Sequence, residues 1–344
     1  MKAFIDPRST INYSSFYIQG LYNVLGKKNV RFSSKYFGEL KEIDMLLAFV
    51  VVDNTTIKKI IIDYRDQSDI IEDAYQWSDV YAKINFNTLT TPNYANKILN
   101  IPPSFAIKIW NPLELLFYLC TNFFRAKIIN HSKDKNIHLR PKRWIRNYLS
   151  LLKRQTLQNY RSPNEQKEDN YVFFASTFWR DSSNVDLYRS QYVLSCVQNQ
   201  KINFEGGFFV NNGASVPAAI PKKLLYYNFI SNATYQGKIK KSIFVFNTPA
   251  VLNCHGWKLG EFLCMGKAII STPLINDLPV PLEHGKNIYI IQDKEEVNQA
   301  VELLLNDKEL RDTLANNAKA YYEKYATPDK VIENIICHEN TTSK

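Results

Sequence analysis

Cysteine is sparse and unpatterned in this chain. Cys120, Cys196, Cys254, Cys264 and Cys337 are scattered and odd in number, which argues against a disulfide framework and a zinc site and fits a reducing cytoplasm. No Asp-x-Asp triplet occurs to gather carboxylates around a divalent ion, and His131 and His138, seven apart in a basic stretch, do not read as ligands. Neither a Walker A loop nor a Gly-x-Gly-x-x-Gly fingerprint is present, so kinase and dehydrogenase readings lack their phosphate cradle. No metal and no cofactor is therefore expected. Long apolar runs are also missing. The most apolar stretch, 113–124, is too short to span a bilayer and carries Glu114. Asp6 and Pro7 interrupt the place where a signal peptide needs a continuous apolar run. The expectation is a cytoplasmic protein, peripheral at most to the inner face of a membrane. No repeat or low-complexity tract is seen.

Acidic residues are locally scarce. The 344 residues carry 43 basic and 33 acidic side chains, a net charge of +10. Segment 127–161 holds ten basic residues and one acid, Asp134, so its charge of +9 accounts for nearly all of the excess. A helix over 142–158 places Trp144, Ile145, Tyr148, Leu149 and Leu152 on one side, with Lys142, Arg143, Arg146, Lys153 and Arg154 around or opposite. That pattern suits an anionic membrane surface, and equally a helix packed on its own domain with a solvated basic face. Nucleic acid has no support beyond charge and is not an expected partner.

The hydrophobic content of 45% supports packed cores. Strand-like runs at 2–5, 29–32, 46–52, 59–63 and 80–85 alternate with helical stretches at 14–25 and 69–77, which predicts an α/β domain. The β-branched runs 46–52 and 59–63 read as strands buried in a parallel sheet. Pro102-Pro103 marks a break, and a proline opens a helix over 112–125. A second alternating series begins at Tyr171, with strands at 171–177, 203–209 and 243–247. The expected domains are 1–165, carrying the basic segment, and 166–326, with 327–344 a helix returning to the first.

Residues 255–279 carry the chemistry. Gly256 is read as the tight turn before a helix whose apolar face is Leu259, Phe262, Leu263 and Met265, and Gly266 ends it. The N–H groups at that helix start attract phosphate, and Lys258 adds an ammonium in the first turn. Glu261, a turn on, is placed to accept hydrogen bonds from two ribose hydroxyls. A short strand, 268–271, and Thr272-Pro273 follow. This helix, glycine, strand and turn suit a diphosphate-bearing ligand.

The segment resembles the sugar-nucleotide signature of retaining glycosyltransferases with the GT-B fold, a superfamily that includes bacterial lipopolysaccharide and capsule enzymes. By that resemblance the fold is two Rossmann-like doubly wound domains facing a cleft, the first on the acceptor side and the second binding the nucleotide sugar. Glu261 is then the ribose-binding glutamate. The family's sugar-contacting glutamate, eight residues earlier, is replaced by Asn253. The resemblance implies transfer of a sugar from a nucleoside-diphosphate donor to a saccharide or lipid-linked saccharide, with retention and without metal. Arg180, after the strand at 171–177, matches in kind the arginine that clasps the pyrophosphate, with Lys258 as its partner. His255 and Trp257 flank the turn and are candidates to meet base or sugar, and Thr248 follows a strand that faces the same crevice. Asp63 and Asp66 are candidates to bind the acceptor or to act as base, although Asp66 or Asp69 also suits helix capping. The glycines of Glu205-Gly206-Gly207 read as a close backbone approach rather than a phosphate loop. Two other readings share this fold: a nucleotide-sugar epimerase and a non-catalytic membrane-surface protein.

Overall fold

A computed structural model describes the chain except residues 42, 92–93, 95–96, 130–139, 164–168, 179–182, 211–215, 227 and 339–344. Arg180, Asp134, His131 and His138 thus lie outside the described residues. The chain forms two compact units: residues 1–157, 276–279 and 325–344, and residues 158–275 and 280–324.

The first unit is built on a six-stranded sheet. Its elements are β1 (Lys2–Ile5), α1 (Ile11–Leu25), β2 (Val30–Phe32), β3 (Leu46–Asp53), β4 (Thr56–Asp63), α2 (Glu72–Trp77), β5 (Val80–Lys83), β6 (Ile98–Asn100), α3 (Pro112–Ile129) and α4 (Pro141–Ser150). The order is β2-β1-β3-β4-β5-β6. β1 with β2, β4 with β5 and β5 with β6 pair in parallel, whereas β3 is antiparallel to both its neighbours. The parallel reading is therefore corrected for 46–52, whereas 59–63 is parallel on its β5 side and antiparallel on its β3 side. Only Asn54 and Thr55 separate β3 from β4, and two residues close a hairpin but not a crossover. Asn54 takes the left-handed conformation (φ 50°) that asparagine tolerates.

The helix expected over 142–158 stops at Ser150, continues as a 3₁₀ turn to Lys153 and becomes extended at Arg154. Its apolar residues divide into two stripes. Trp144, Tyr148 and Leu151 are buried, with Trp144 Nε1 donating to Leu119 O (3.0 Å) and Asn122 Nδ2 donating to the Tyr148 hydroxyl (3.0 Å). Ile145, Leu149 and Leu152 remain exposed. Neither Asp66 nor Asp69 caps α2, because Ile71 stands at its N-cap and Asp69 pairs with Arg65.

The second unit opens with most of α5 (Leu157–Arg161) and is wholly parallel in its named strands. It comprises β7 (Tyr171–Phe178), α6 (Ser183–Gln198), β8 (Asn203–Val210), β9 (Leu225–Tyr226), α7 (Asn232–Lys241), β10 (Val245–Asn247), α8 (Trp257–Met265), β11 (Ile269–Ser271), β12 (Tyr289–Ile290), α9 (Glu296–Asn306) and α10 (Lys308–Tyr321). Strands β7-β8-β9 form one ladder and β10-β11-β12 another. The ladders meet where Ile243 N donates to Tyr171 O (2.9 Å) and Phe173 N to Ser242 Oγ (2.8 Å). The spatial order β9-β8-β7-β10-β11-β12 is that of a doubly wound Rossmann-like sheet, whose direction of winding reverses between β7 and β10. One core joins both ladders, with Val172, Phe174, Phe208, Phe246 and Ile270 packed against Tyr192, Val297 and Leu304 of the helices. Gly206 and Gly207, at φ 121° and 149°, allow β8 its close neighbours: a Cβ on Gly206 would lie 1.8 Å from Phe174 O.

The last helix, α11 (Pro328–Cys337), belongs to the first unit and packs along α1. Gly20 makes this possible, because a Cβ there would stand 2.2 Å from Pro328 O. Lys58 Nζ donates to the carbonyls of Ile336 (2.7 Å) and His338 (2.5 Å), satisfying the end of the helix.

Candidate functional site

In open α/β sheets the loops beyond the carboxyl ends of the strands separate where the winding reverses, and the gap receives ligands. The second unit has a cavity of about 500 Å³ at that place, reaching Ala175, Ser176 and Thr177 of β7, Thr248 after β10, and the first turn of α8. Gly256 is the N-cap of α8 with no side-chain cap on its first turn, and no acid occupies that turn. The positive end of the helix dipole therefore lies at the cavity.

Gly256 is not the tight turn that was expected. It is extended (φ −73°, ψ 160°), and a Cβ there would meet only Ala250 at 3.6 Å. Leu252 and Asn253 make the turn instead, at φ 58° and 60°. Asparagine suits that conformation, whereas leucine there is strained.

Among the described residues three cations line the cavity: Lys238, which pairs with Glu205, and Lys258 and Arg189, which have no such partner on the cavity wall. Lys258 reaches inward to donate to Ala175 O (2.6 Å), with its ammonium 5.3 Å from the centre of the Phe174 ring. Burial, with Arg189 adding repulsion and Glu261 opposing it, pushes the Lys258 pKa down to about 7. Arg189, buried on α6, donates through Nε to Thr248 Oγ1 (3.0 Å) and through Nη1 to Asp186 Oδ1 (3.3 Å). Burial lowers its pKa too, against the pull of Asp186. An anion entering here would relieve both desolvated charges.

Glu261 lies on α8 one turn beyond Lys258, buried but lining the cavity, and its Oε1 accepts from the Tyr160 hydroxyl (3.1 Å). The Tyr235 hydroxyl, on another lining residue, is buried without a hydrogen-bond partner among the described residues. Burial, with Glu261 as the second cause, drives its pKa well up, so it stays a neutral donor. Phe209 and Phe229 stack at 4.2 Å and, with Tyr226 and Trp257, give the cavity an aromatic side.

Lys258, Glu261, Gly256, Trp257 and Thr248 thus share one cavity. Leu259 is instead a core residue, and His255 is buried and not among the described residues that line the cavity. Asp63 is in the first unit, fully buried at the end of β4. It accepts from Lys83 (2.8 Å), Tyr81 (2.7 Å) and Arg65 (3.0 Å), so its oxygens are committed to an ion cluster. Asp66 is exposed nearby. Among the described residues no group of three or more His, Cys, Asp or Glu side chains is arranged to hold a metal ion.

A scan against protein-family models finds no match, and a search of curated proteins also finds none. Similar solved structures include TarM, at 12% identity and a TM-score of 0.45 over 77% of this chain and 44% of that one. The C-terminal domain of the glycosyl transferase group 1 family protein LpcC from Francisella tularensis is 13% identical, with a TM-score of 0.35 over 49% of this chain and 96% of the domain. WaaG, a glycosyltransferase involved in lipopolysaccharide biosynthesis, is 13% identical, with a TM-score of 0.34 over 80% of this chain and 91% of its own. The chain spans less than half the length of TarM. Of these three, LpcC and WaaG are described as glycosyltransferases.

Proposed function

We propose that this chain is a glycosyltransferase whose second unit holds a nucleoside-diphosphate sugar. The acceptor is a saccharide or lipid-linked saccharide of a surface polysaccharide. The observation that carries the reading is the convergence of Lys258, Arg189, the positive end of α8 and Glu261 on one cavity at the switch point of a parallel sheet. The diphosphate lies against the helix start, Lys258 and Arg189. Glu261, held by Tyr160, accepts from the ribose hydroxyls, and the base rests on the aromatic side. As the sugar C1–oxygen bond breaks, negative charge grows on the leaving diphosphate. The two cations and the helix N–H groups stabilise that charge where a divalent ion serves in other transferases, and no metal or cofactor is needed. The acceptor hydroxyl forms the new bond to C1 with retention, and its proton passes to the departing diphosphate oxygen.

Thermal shift against a panel of nucleoside diphosphates, followed by calorimetry, tests the donor site. One of them raises Tm, and Glu261→Ala weakens its binding about 10- to 100-fold, the worth of one or two hydrogen bonds to a charged group. Inorganic pyrophosphate binding is nearly unchanged in that variant, because Glu261 faces the ribose. Equal losses for both ligands, or no shift with any nucleotide, would overturn the reading. Incubating the donor with and without acceptor separates transfer from epimerisation, which consumes donor alone, and the anomeric configuration of the product reads retention.

A further inference from the structure

Helix α3 is apolar on both of its sides, which is the composition of a helix covered all round. Leu115, Asn122, Ala126 and Ile129 face inward, while Leu113, Leu116, Phe117, Phe124 and Ile128 are exposed, with Leu113 at 80% and Phe124 at 67%. The exposed positions recur at helical spacing from Leu113 to Ile128, a stripe about 24 Å long. Trp144 and Tyr148 bind α4 to α3, and Ile145, Leu149 and Leu152 then add a second exposed row on α4 and the turn after it.

The charges beside these rows are mostly positive. Lys127 precedes Ile128, Arg146 follows Ile145 and Lys153 follows Leu152, and all three cations are exposed, as is Lys142 at the start of α4. The only acid on α3 or α4 is Glu114, and Lys27 pairs with it. A large apolar stripe in contact with water is costly, and cations set at its margin select what covers it.

We infer that α3 and α4 form a docking surface for an anionic lipid bilayer, with the helices lying in the plane of the headgroups. The apolar stripe enters the boundary with the acyl chains, and Lys127, Lys142, Arg146 and Lys153 meet lipid phosphates. No described helix is long and apolar enough to cross a membrane, so the surface lies on the bilayer rather than through it. This inference stands apart from the donor site, since none of its residues lines that cavity.

Sedimentation of the full chain with phosphatidylcholine vesicles, with and without phosphatidylglycerol, tests it. Binding to the anionic vesicles is expected, with about fivefold loss for each of Lys142→Gln, Arg146→Gln and Lys153→Gln. Phe117→Gln with Phe124→Gln lowers binding about tenfold or more, and because both side chains are exposed, circular dichroism and Tm should stay as in the parent chain. An environment-sensitive dye on Cys120, in a Cys337→Ser background, shifts to the blue with anionic vesicles, whereas the dye on Cys337 in a Cys120→Ser background does not. Equal binding to neutral vesicles overturns the inference. So does the absence of a Cys120 shift, or a dimer in solution that shields Cys120 from alkylation, which would assign the stripe to a second copy.

Discussion

Lys258 is the residue on which charge, burial and ligand meet. In the folded chain its pKa is about 7, against the ordinary 10.5, so between those values the unfolded chain keeps a proton that the folded chain has released. Stability therefore rises with pH across that window, and a Lys258→Met variant lacks that rise. Ligand binding has the opposite sign. A diphosphate takes the ammonium form, so affinity weakens as pH climbs above about 7 in the parent chain, with proton uptake visible at pH 8 by calorimetry in buffers of different ionisation enthalpy. A flat affinity profile in the parent would remove Lys258 from the anion site. The helix that carries Lys258 and Glu261 is local in sequence, so its spacing was legible. Arg189, Tyr160 and Tyr235 were not legible, because three other elements deliver Arg189 and Tyr235 to the cavity and Tyr160 to Glu261. The sole hint at Arg189 is the Asp186–Arg189 spacing on a helix that follows a strand, which is common on any solvated helix.

At the scale of elements, an uninterrupted apolar run records burial on both faces and nothing about direction. β3 is such a run, and its antiparallel pairing is decided by the short Asn54-Thr55 link rather than by the strand itself. Helix α4 shows the same limit. Two apolar stripes only about 100° apart look like one face, and contact with α1 and α3 separates the buried one from the exposed one. Gly20 sets the contact between α1 and α11, and nothing in its own neighbourhood announces it. Gly20→Val places a side chain 2.2 Å from Pro328 O and 2.7 Å from Ile332 Cγ1. The helices must part, at a cost of about 1–3 kcal/mol or more, read as an earlier urea midpoint. An unchanged midpoint would show that the two helices yield freely.

At the scale of the molecule, each unit keeps an apolar core of its own, which is why composition and alternation announced two α/β regions. The chain changes unit between 157 and 158, ahead of the polar stretch that suggested 165, because most of α5 is already committed to the second unit through Tyr160 and Arg161. Four residues, 276–279, also return to the first unit, where Asp277 N donates to Phe86 O (2.9 Å), a detour too short to leave a pattern in sequence. The return of α11 makes a consequence testable. It contributes buried Val331, Ile332 and Ile335 to the first unit, each worth about 1.5–3 kcal/mol, and their sum approaches the whole stability of an ordinary domain. A chain ending at Thr327 should therefore lose hydrogen-exchange protection throughout β1, α1, β3 and β4. Protection in β7, β10 and α8 should persist, because the core beneath those elements contains no residue of α11. Loss of protection in both units together would mean that the cores are not independent, and slow exchange kept in α1 would mean that α11 is dispensable to the first.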